Sequence, residues 1–223
     1  MEDVKEMKAM RTAAQETREA PAVLDTAKRQ QLMEGARRVF LEHGFDGASV
    51  GDIVRAAGIS KGTLYAYFPS KEKLFETLVF EDKRKQAEAS CQLDASDDNV
   101  ERVLFNLGMS LREMMDQPDA IAFVRIVIGA SGKFPEIGRA FYEAGPAYGI
   151  ARLSEYLERM TAKGLLDIAD YERAARQFLD LCKSGVHVKM LFGCLQEPPS
   201  QAETERNVKS AVSVFMKAYG VSR

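Results

Sequence analysis

The sequence predicts an all-α chain: an N-terminal three-helix helix-turn-helix domain followed by a larger helical domain. Three observations carry this. Apolar residues recur at helical spacing along most of the chain, with no strand-like alternation. Capping residues and glycine or proline stops bracket each apolar stretch. Between the second and third helices lies a tight corner, Gly58-Ile59-Ser60, of the kind a helix-turn-helix demands.

Residues 1–24 read as a flexible tail, because charges of both signs alternate there without an apolar stripe and Pro21 interrupts its end. A sharper reading makes Arg11 and Arg18 a minor-groove arm, but Glu16 and Glu19 sit beside them. Residues 25–73 form the helix-turn-helix domain. Asp25 or Thr26 caps its first helix, in which Leu32, Ala36, Val39 and Phe40 share one face and Arg29, Glu34 and Arg37 the other. Gly44 stops that helix. Ser49 caps the second, with Asp52 placed as in a capping box. Ile53, Val54 and Ala57 turn inward, and Gly58 ends the helix in the left-handed conformation. Ser60 caps a very short third helix, which Pro69 ends. Ser70 begins a long charged helix that runs to about Ser90.

Residues 74–223 form the second domain. Helices are expected at about 99–116, 119–130, 135–145, 147–163, 170–192 and 202–219. Their boundaries are Asp97-Asp98, Pro118, Pro135, Gly145-Pro146, Gly164 and the Glu197-Pro198-Pro199-Ser200 loop.

Composition bounds the function. The net charge of −2 over 223 residues does not draw the chain as a whole to phosphate, so a nucleic-acid binder must gather its basic groups locally. The three cysteines, Cys91, Cys182 and Cys194, lie far apart, which fits a reducing compartment and small apolar fillers. No apolar run approaches a bilayer span, and the N-terminus lacks a secretory h-region, so the expected location is the cytoplasm, with no membrane partner. The two histidines, His43 and His187, make no histidine-rich metal site, and His187 reads as a hydrogen-bonded core residue. No nucleophile motif or phosphate-cradling loop supports catalysis, and no cofactor is expected.

The short third helix carries the chemistry. Leu64 and Phe68 share a stripe and should face a small core with Phe40 and Ile53. Gly62, Thr63, Ala66 and Tyr67 then point outward, with Lys61 and Tyr65 at the border. Small residues let the backbone approach base edges, while the hydroxyls and the lysine supply donors for bases and phosphates. Tyr65, Tyr67 and Lys71 are spaced to grip one phosphate strand. Ser49 and the freed amides of its helix offer another phosphate site. Each tyrosine alone is more often a half-buried core residue.

The string Ser49-Val-Gly-Asp-Ile-Val-Arg-Ala-Ala-Gly-Ile-Ser-Lys-Gly-Thr-Leu-Tyr-Ala-Tyr-Phe-Pro-Ser-Lys-Glu resembles the signature of the TetR/AcrR regulators, a match that covers about residues 27–80. The run from Phe134 to Pro146, with its Gly-Arg-Ala-Phe-Tyr-Glu-Ala-Gly-Pro core, is similar to a C-terminal segment of one AcrR-like branch. The resemblance implies a homodimer that reads a near-palindromic operator in double-stranded DNA, with repression relieved by a small molecule. It implies that Lys61, Gly62 and Thr63 meet bases or adjacent phosphates, and that Ser49, Tyr65, Tyr67 and Lys71 meet phosphates. Gly51 departs from the pattern, because several relatives place a long side chain there near a base.

The resemblance also turns apolar residues of the second domain into candidate pocket walls for a small, largely apolar effector: Phe105, Met109, Phe123, Arg125, Tyr142, Tyr148 and Phe178. Arg125 sits in a helix apolar nearly all round and needs an acceptor, either a ligand group or a structural carboxylate such as Glu113 or Glu155. Leu181, Val188 and Leu191 on one C-terminal helix, with Val208, Val212 and Phe215 on the next, are the candidate dimer seam. Packing within one chain would use the same stripes. Alternatives to an inducible repressor are a constitutive DNA-binding regulator without ligand and a helical small-molecule-binding protein or enzyme.

Overall fold

A computed structural model describes residues 25–195 and 197–221. The expected N-terminal tail, with Arg11 and Arg18, lies outside the described residues. Among the described residues eleven helices follow one another: α1 (Thr26–Gly47), α2 (Val50–Ala57), α3 (Lys61–Tyr67), α4 (Lys71–Ser90), α5 (Val100–Met115), α6 (Pro118–Ser131), α7 (Pro135–Ala144), α8 (Pro146–Ala162), α9 (Tyr171–Lys183), α10 (His187–Leu191) and α11 (Gln201–Tyr219). No strand is formed among the described residues beyond an isolated bridge between Leu166 and Gly220. No described helix is long and apolar enough to cross a membrane.

The caps fall where the side chains demand. Asp25, Ser49, Ser60, Ser70, Asn99, Asp170 and Ser200 each accept a backbone N–H of the first turn, satisfying one of the donors a helix start leaves free. Gly44 breaks the helical path as expected, with φ 71° and ψ 179°, and a further turn follows beyond this kink to Gly47. The stretch expected as one helix over 170–192 is two. It breaks at Ser184-Gly185-Val186, where Gly185 takes a φ of 80° that a side chain would resist.

Two cores result. The first joins α1–α4 through Leu32, Phe40, Ile53, Leu64 and Leu74, and it continues into α6 and α7 through Phe123, Val127 and Ile137. Aromatic rings knit it together: Phe75 lies 4.5 Å from Phe40, 5.2 Å from Phe45 and 5.8 Å from Phe123. Outside this core, Arg29 pairs with Glu81 and Arg37 with Asp82, tying α1 along α4. The second core gathers α5, α8, α9 and α11 around Leu104, Leu157, Phe178, Val208 and Phe215.

Those burials correct several expectations. Val208, Val212 and Phe215, expected on a dimer seam, are buried inside this chain's own second core. Phe178 packs edge-on against Phe215 at 5.4 Å, and Phe123 belongs to the first core, and neither lines the cavity described below. Phe105 and Met109 are half-buried against the second core, and Phe105 also lines a second, more open cavity with Arg102, Lys209 and Met216. Tyr148 faces the Arg84 guanidinium, 4.4 Å from its ring centre. The α6 helix is not apolar all round in its surroundings, because Ile128 is exposed on its outer side.

Candidate nucleic-acid interface and effector cavity

The α2–α3 corner is fixed from α1. Gly58 adopts φ 65°, ψ 32°, and its N–H donates back to the carbonyls of Val54 and Arg55. Gln31 Nε2 donates to the Ala57 carbonyl at 2.6 Å and Arg38 to the Ala56 carbonyl at 2.6 Å, so α1 side chains cap the end of α2. Ser49 accepts the Asp52 N–H at 3.1 Å and donates to the Asp52 carboxylate at 2.6 Å. That hydroxyl, then the Arg55 guanidinium, hold the Asp52 carboxyl below its usual range.

On α3, Lys61, Gly62, Tyr65 and Ala66 are exposed, while Leu64 is buried. Thr63 is half-buried, its hydroxyl 2.8 Å from that of Ser60. The two tyrosines exchange their expected places. Tyr65, read as a border residue, is the outer one at 46% exposure, whereas Tyr67 turns back and donates to the Asp25 carbonyl at 2.9 Å. Lys71 is a second correction. Its ammonium donates to the carbonyls of Phe45 and Ala48 at 2.8 and 2.9 Å and lies 4.5 Å from the centre of the Phe45 ring. Its donors close the α1–α2 link instead of pointing to solvent. Gly51 is exposed and has room for a side chain, since the nearest atom to a β-carbon there would be Ser49 Oγ at 3.5 Å.

In the second half of the chain, a cavity of about 420 Å³ opens between α4, α5, α6, α7, α8, α9 and α10, within the size range of small-molecule sites. Its apolar walls include Leu111, Met114, Met115, Val124, Phe141 and Leu179. Of the expected pocket residues only Tyr142 lines it. Its polar lining was not anticipated: Lys83, Arg176, Asp180, Lys183 and His187. Lys83 is 6% exposed, and burial pushes its pKa down to about 8. Its ammonium donates to Gln86 Oε1 at 2.9 Å and sits over the rings of Phe141 and Phe123, at 5.2 and 5.7 Å. His187 is not the hydrogen-bonded core residue expected. Its Nδ1 is buried without a partner among the described residues, and burial, then Arg112, lower its pKa to about 4.

Arg125 is not part of this lining. Its Nε donates to the Leu191 carbonyl at 2.7 Å and one Nη to the Met190 carbonyl at 2.6 Å, so it caps the C-terminus of α10 and has no carboxylate partner among the described residues. The buried arginine is instead Arg112, with no exposure, 2.7 Å from Asp116 one turn on in the same chain. Sequence carried one signal for it, the i,i+4 Arg–Asp spacing at the end of a helix. Lys83 had none, since a lysine on a charged helix ordinarily faces water. Among the described residues, no cluster of three histidine, cysteine or acidic side chains could hold a metal.

Both halves match known families. Residues 32–78 match the model of bacterial regulatory proteins of the tetR family, and residues 102–221 that of the AefR-like transcriptional repressor C-terminal domain. The HTH-type transcriptional repressor AcnR of Corynebacterium efficiens is 48% identical over 60 residues, which are 27% of this chain and 32% of that protein. The matched stretch thus spans about a third of the length of the Corynebacterium repressors. An HTH-type repressor of Mycobacterium tuberculosis is 26% identical over 75% of this chain and 84% of its own. Among solved structures, the Flavonoid-responsive Regulator FrrA is 32% identical, with a TM-score of 0.75 over 88% of this chain and 99% of its own. A TetR-family regulator from Mesorhizobium loti is 25% identical, with a TM-score of 0.77 over 87% and 98%. With its head matched by one model of the family and more than half its length by another, this chain belongs to the TetR family of bacterial regulatory proteins.

Proposed function

We propose that the chain is a sequence-specific DNA-binding repressor that acts in the cytoplasm as a homodimer on a near-palindromic operator, and that a small molecule in the cavity releases it. One observation carries the DNA reading: α3 presents Lys61, Gly62, Tyr65 and Ala66 to solvent from a corner locked by Gly58 and Gln31. A small residue lets the helix approach base edges, Lys61 supplies charge, and Tyr65 supplies a hydroxyl for phosphate. Residues 25–73 would be the DNA-reading unit and 74–223 the effector-binding and dimer-forming unit. Repression is the sign favoured by the AefR-like match and by relatives named repressors.

We place the dimer seam on Leu181, Val188 and Leu191 of the expected set, joined by Phe192 and Val214; Val188, Phe192 and Val214 are exposed in the single chain, and Leu181 and Leu191 are half-buried. A two-fold axis would pair this patch with itself. Release is supported by continuity of packing. Lys83 of the cavity lies against Phe123, Phe123 against Phe75, and Phe75 against Phe40 and Phe45 of the head. An effector must favour one head spacing by roughly 1–3 kcal/mol to matter. The likeness to FrrA, a flavonoid-responsive regulator, supports a ring-bearing effector.

The test is a gel shift with DNA flanking the chain's own gene, followed by footprinting. Two protected half-sites about 34 Å apart, or a larger groove-compatible spacing, are expected. Affinity for that DNA no better than for random DNA would sink the proposal.

A further inference from the structure

We propose that the effector is an amphipathic organic acid, whose apolar body lies among Met114, Met115, Val124 and Leu179 and whose deprotonated group pairs with the Lys83 ammonium. This rests on the reading of the cavity as the effector site.

The argument is one of unmet charge. A buried lysine is costly unless something compensates its ammonium. Lys83 is 6% exposed, yet it has no ion pair within 4 Å among the described residues; its one hydrogen-bond acceptor is the neutral Gln86. The neighbouring carboxylate, Asp82, is already engaged by Arg37 at 2.8 Å. Two ring faces, Phe123 and Phe141, give partial compensation. An ammonium has three donors, so two remain for a ligand that enters the cavity Lys83 lines. The remaining lining leans the same way. Lys183 is matched by Asp180 at 2.7 Å, while Arg176 adds a further cation whose partner, Glu172, is not part of the lining. A neutral apolar effector would fill the walls but leave Lys83 uncompensated and drier than before. An anion satisfies both.

The probes are 2-naphthoate and its neutral carboxamide, alike in shape and different in charge. The chain has no tryptophan, so naphthyl fluorescence reads binding directly. On the full-length protein, 2-naphthoate is expected to bind at least ~10-fold more tightly than 2-naphthamide, a difference typical of one desolvated charge-assisted hydrogen bond. In Lys83→Met, similar in length and apolar, that preference should fall below about threefold while 2-naphthamide binds as before, and Lys83→Arg should restore it. Val124→Phe combined with Leu179→Phe, which narrows the cavity from two walls without adding a tryptophan, should weaken binding of both at least ~10-fold. Equal affinities in the wild type, or a preference that survives Lys83→Met, overturn the acid proposal and leave the effector site standing. Unchanged affinity of both probes in the Val124→Phe/Leu179→Phe protein, or no binding of either probe to the wild type, overturns both the proposal and the effector reading of the cavity.

Discussion

Gly35 of α1 lies so close to Ala57 of α2 that a β-carbon on Gly35 would stand 2.7 Å from the Ala57 β-carbon and 2.8 Å from its backbone N and Cα. The obstacle is backbone at the end of the helix that sets the corner, so it cannot swing aside. Gly35→Ala gains about 1 kcal/mol in helix propensity but forces α1 and α2 apart, an overpacking cost of about 1–3 kcal/mol. Net destabilisation is expected, and Gly35→Val should be worse. Because α2 carries α3 with it, operator affinity should fall more than the melting temperature suggests. A Gly35→Ala protein with unchanged stability and operator affinity would show that the contact relaxes freely.

Lys61 and Lys71 should part company in salt titrations. Lys61 is exposed on α3, so Lys61→Ala should weaken binding to all DNA sequences about equally and lower the slope of log K against log salt by about one unit. Lys71 is committed to the Phe45 and Ala48 carbonyls. Lys71→Ala should therefore cost about 1–3 kcal/mol of folding stability and leave the salt slope nearly unchanged. A slope lowered by a full unit in Lys71→Ala would show that the ammonium leaves its carbonyls for phosphate.

That contrast marks where sequence reading succeeds and where it stops. Ser49, Ser60, Ser70 and Gly58 were legible because caps and left-handed stops act over a single turn. The order of the helices was legible for the same reason, apart from the break at Gly185. What a long side chain reaches was not. Lys71 and Arg125 both find backbone carbonyls on elements distant in sequence, which periodicity cannot reveal. The cavity walls were missed because helical spacing tells which residues share a face, not which neighbouring helix or which gap between helices that face meets. Whether Phe123 or Val124 meets the void is settled by packing between helices.

The dimer seam divides the C-terminal apolar residues by experiment. Phe192 is 80% exposed and Val188 60%, whereas Val212 and Phe215 are buried within the chain. Phe192→Glu or Val188→Glu should give monomers in sedimentation with helicity retained, and DNA affinity should drop by more than ~10-fold as the second head is lost. Val212→Ala should leave the dimer intact but cost about 1–3 kcal/mol of folding stability through the cavity it creates. Monomers from Val212→Ala with unchanged folding stability would return the seam to the α11 residues first expected.

Two groups of the cavity, Lys83 and His187, should write themselves into the pH dependence of stability. Burial is the largest cause of both shifts. Around Lys83, Asp82 works against the shift and Arg37 with it; around His187, the charges of Arg112, Lys183 and Lys83 all add to it. His187 is lowered from 6.5 to about 4, and Lys83 from 10.5 to about 8. In each window the unfolded chain binds more protons than the folded one, so stability rises with pH across it. The contribution of neutral His187 is complete above pH 6.5 and is lost as pH falls toward 4. The penalty of charged Lys83 is complete below about pH 8 and is relieved by about 10.5. Lys83→Met should thus be more stable than the wild type at pH 7, by roughly 1–3 kcal/mol, and that advantage should fade as pH rises through the Lys83 window. His187→Gln should flatten the acid arm alone. Melting temperatures of the three proteins from pH 4 to 10 check this. A Lys83→Met advantage that stays constant with pH would mean that the ammonium is not desolvated in the fold.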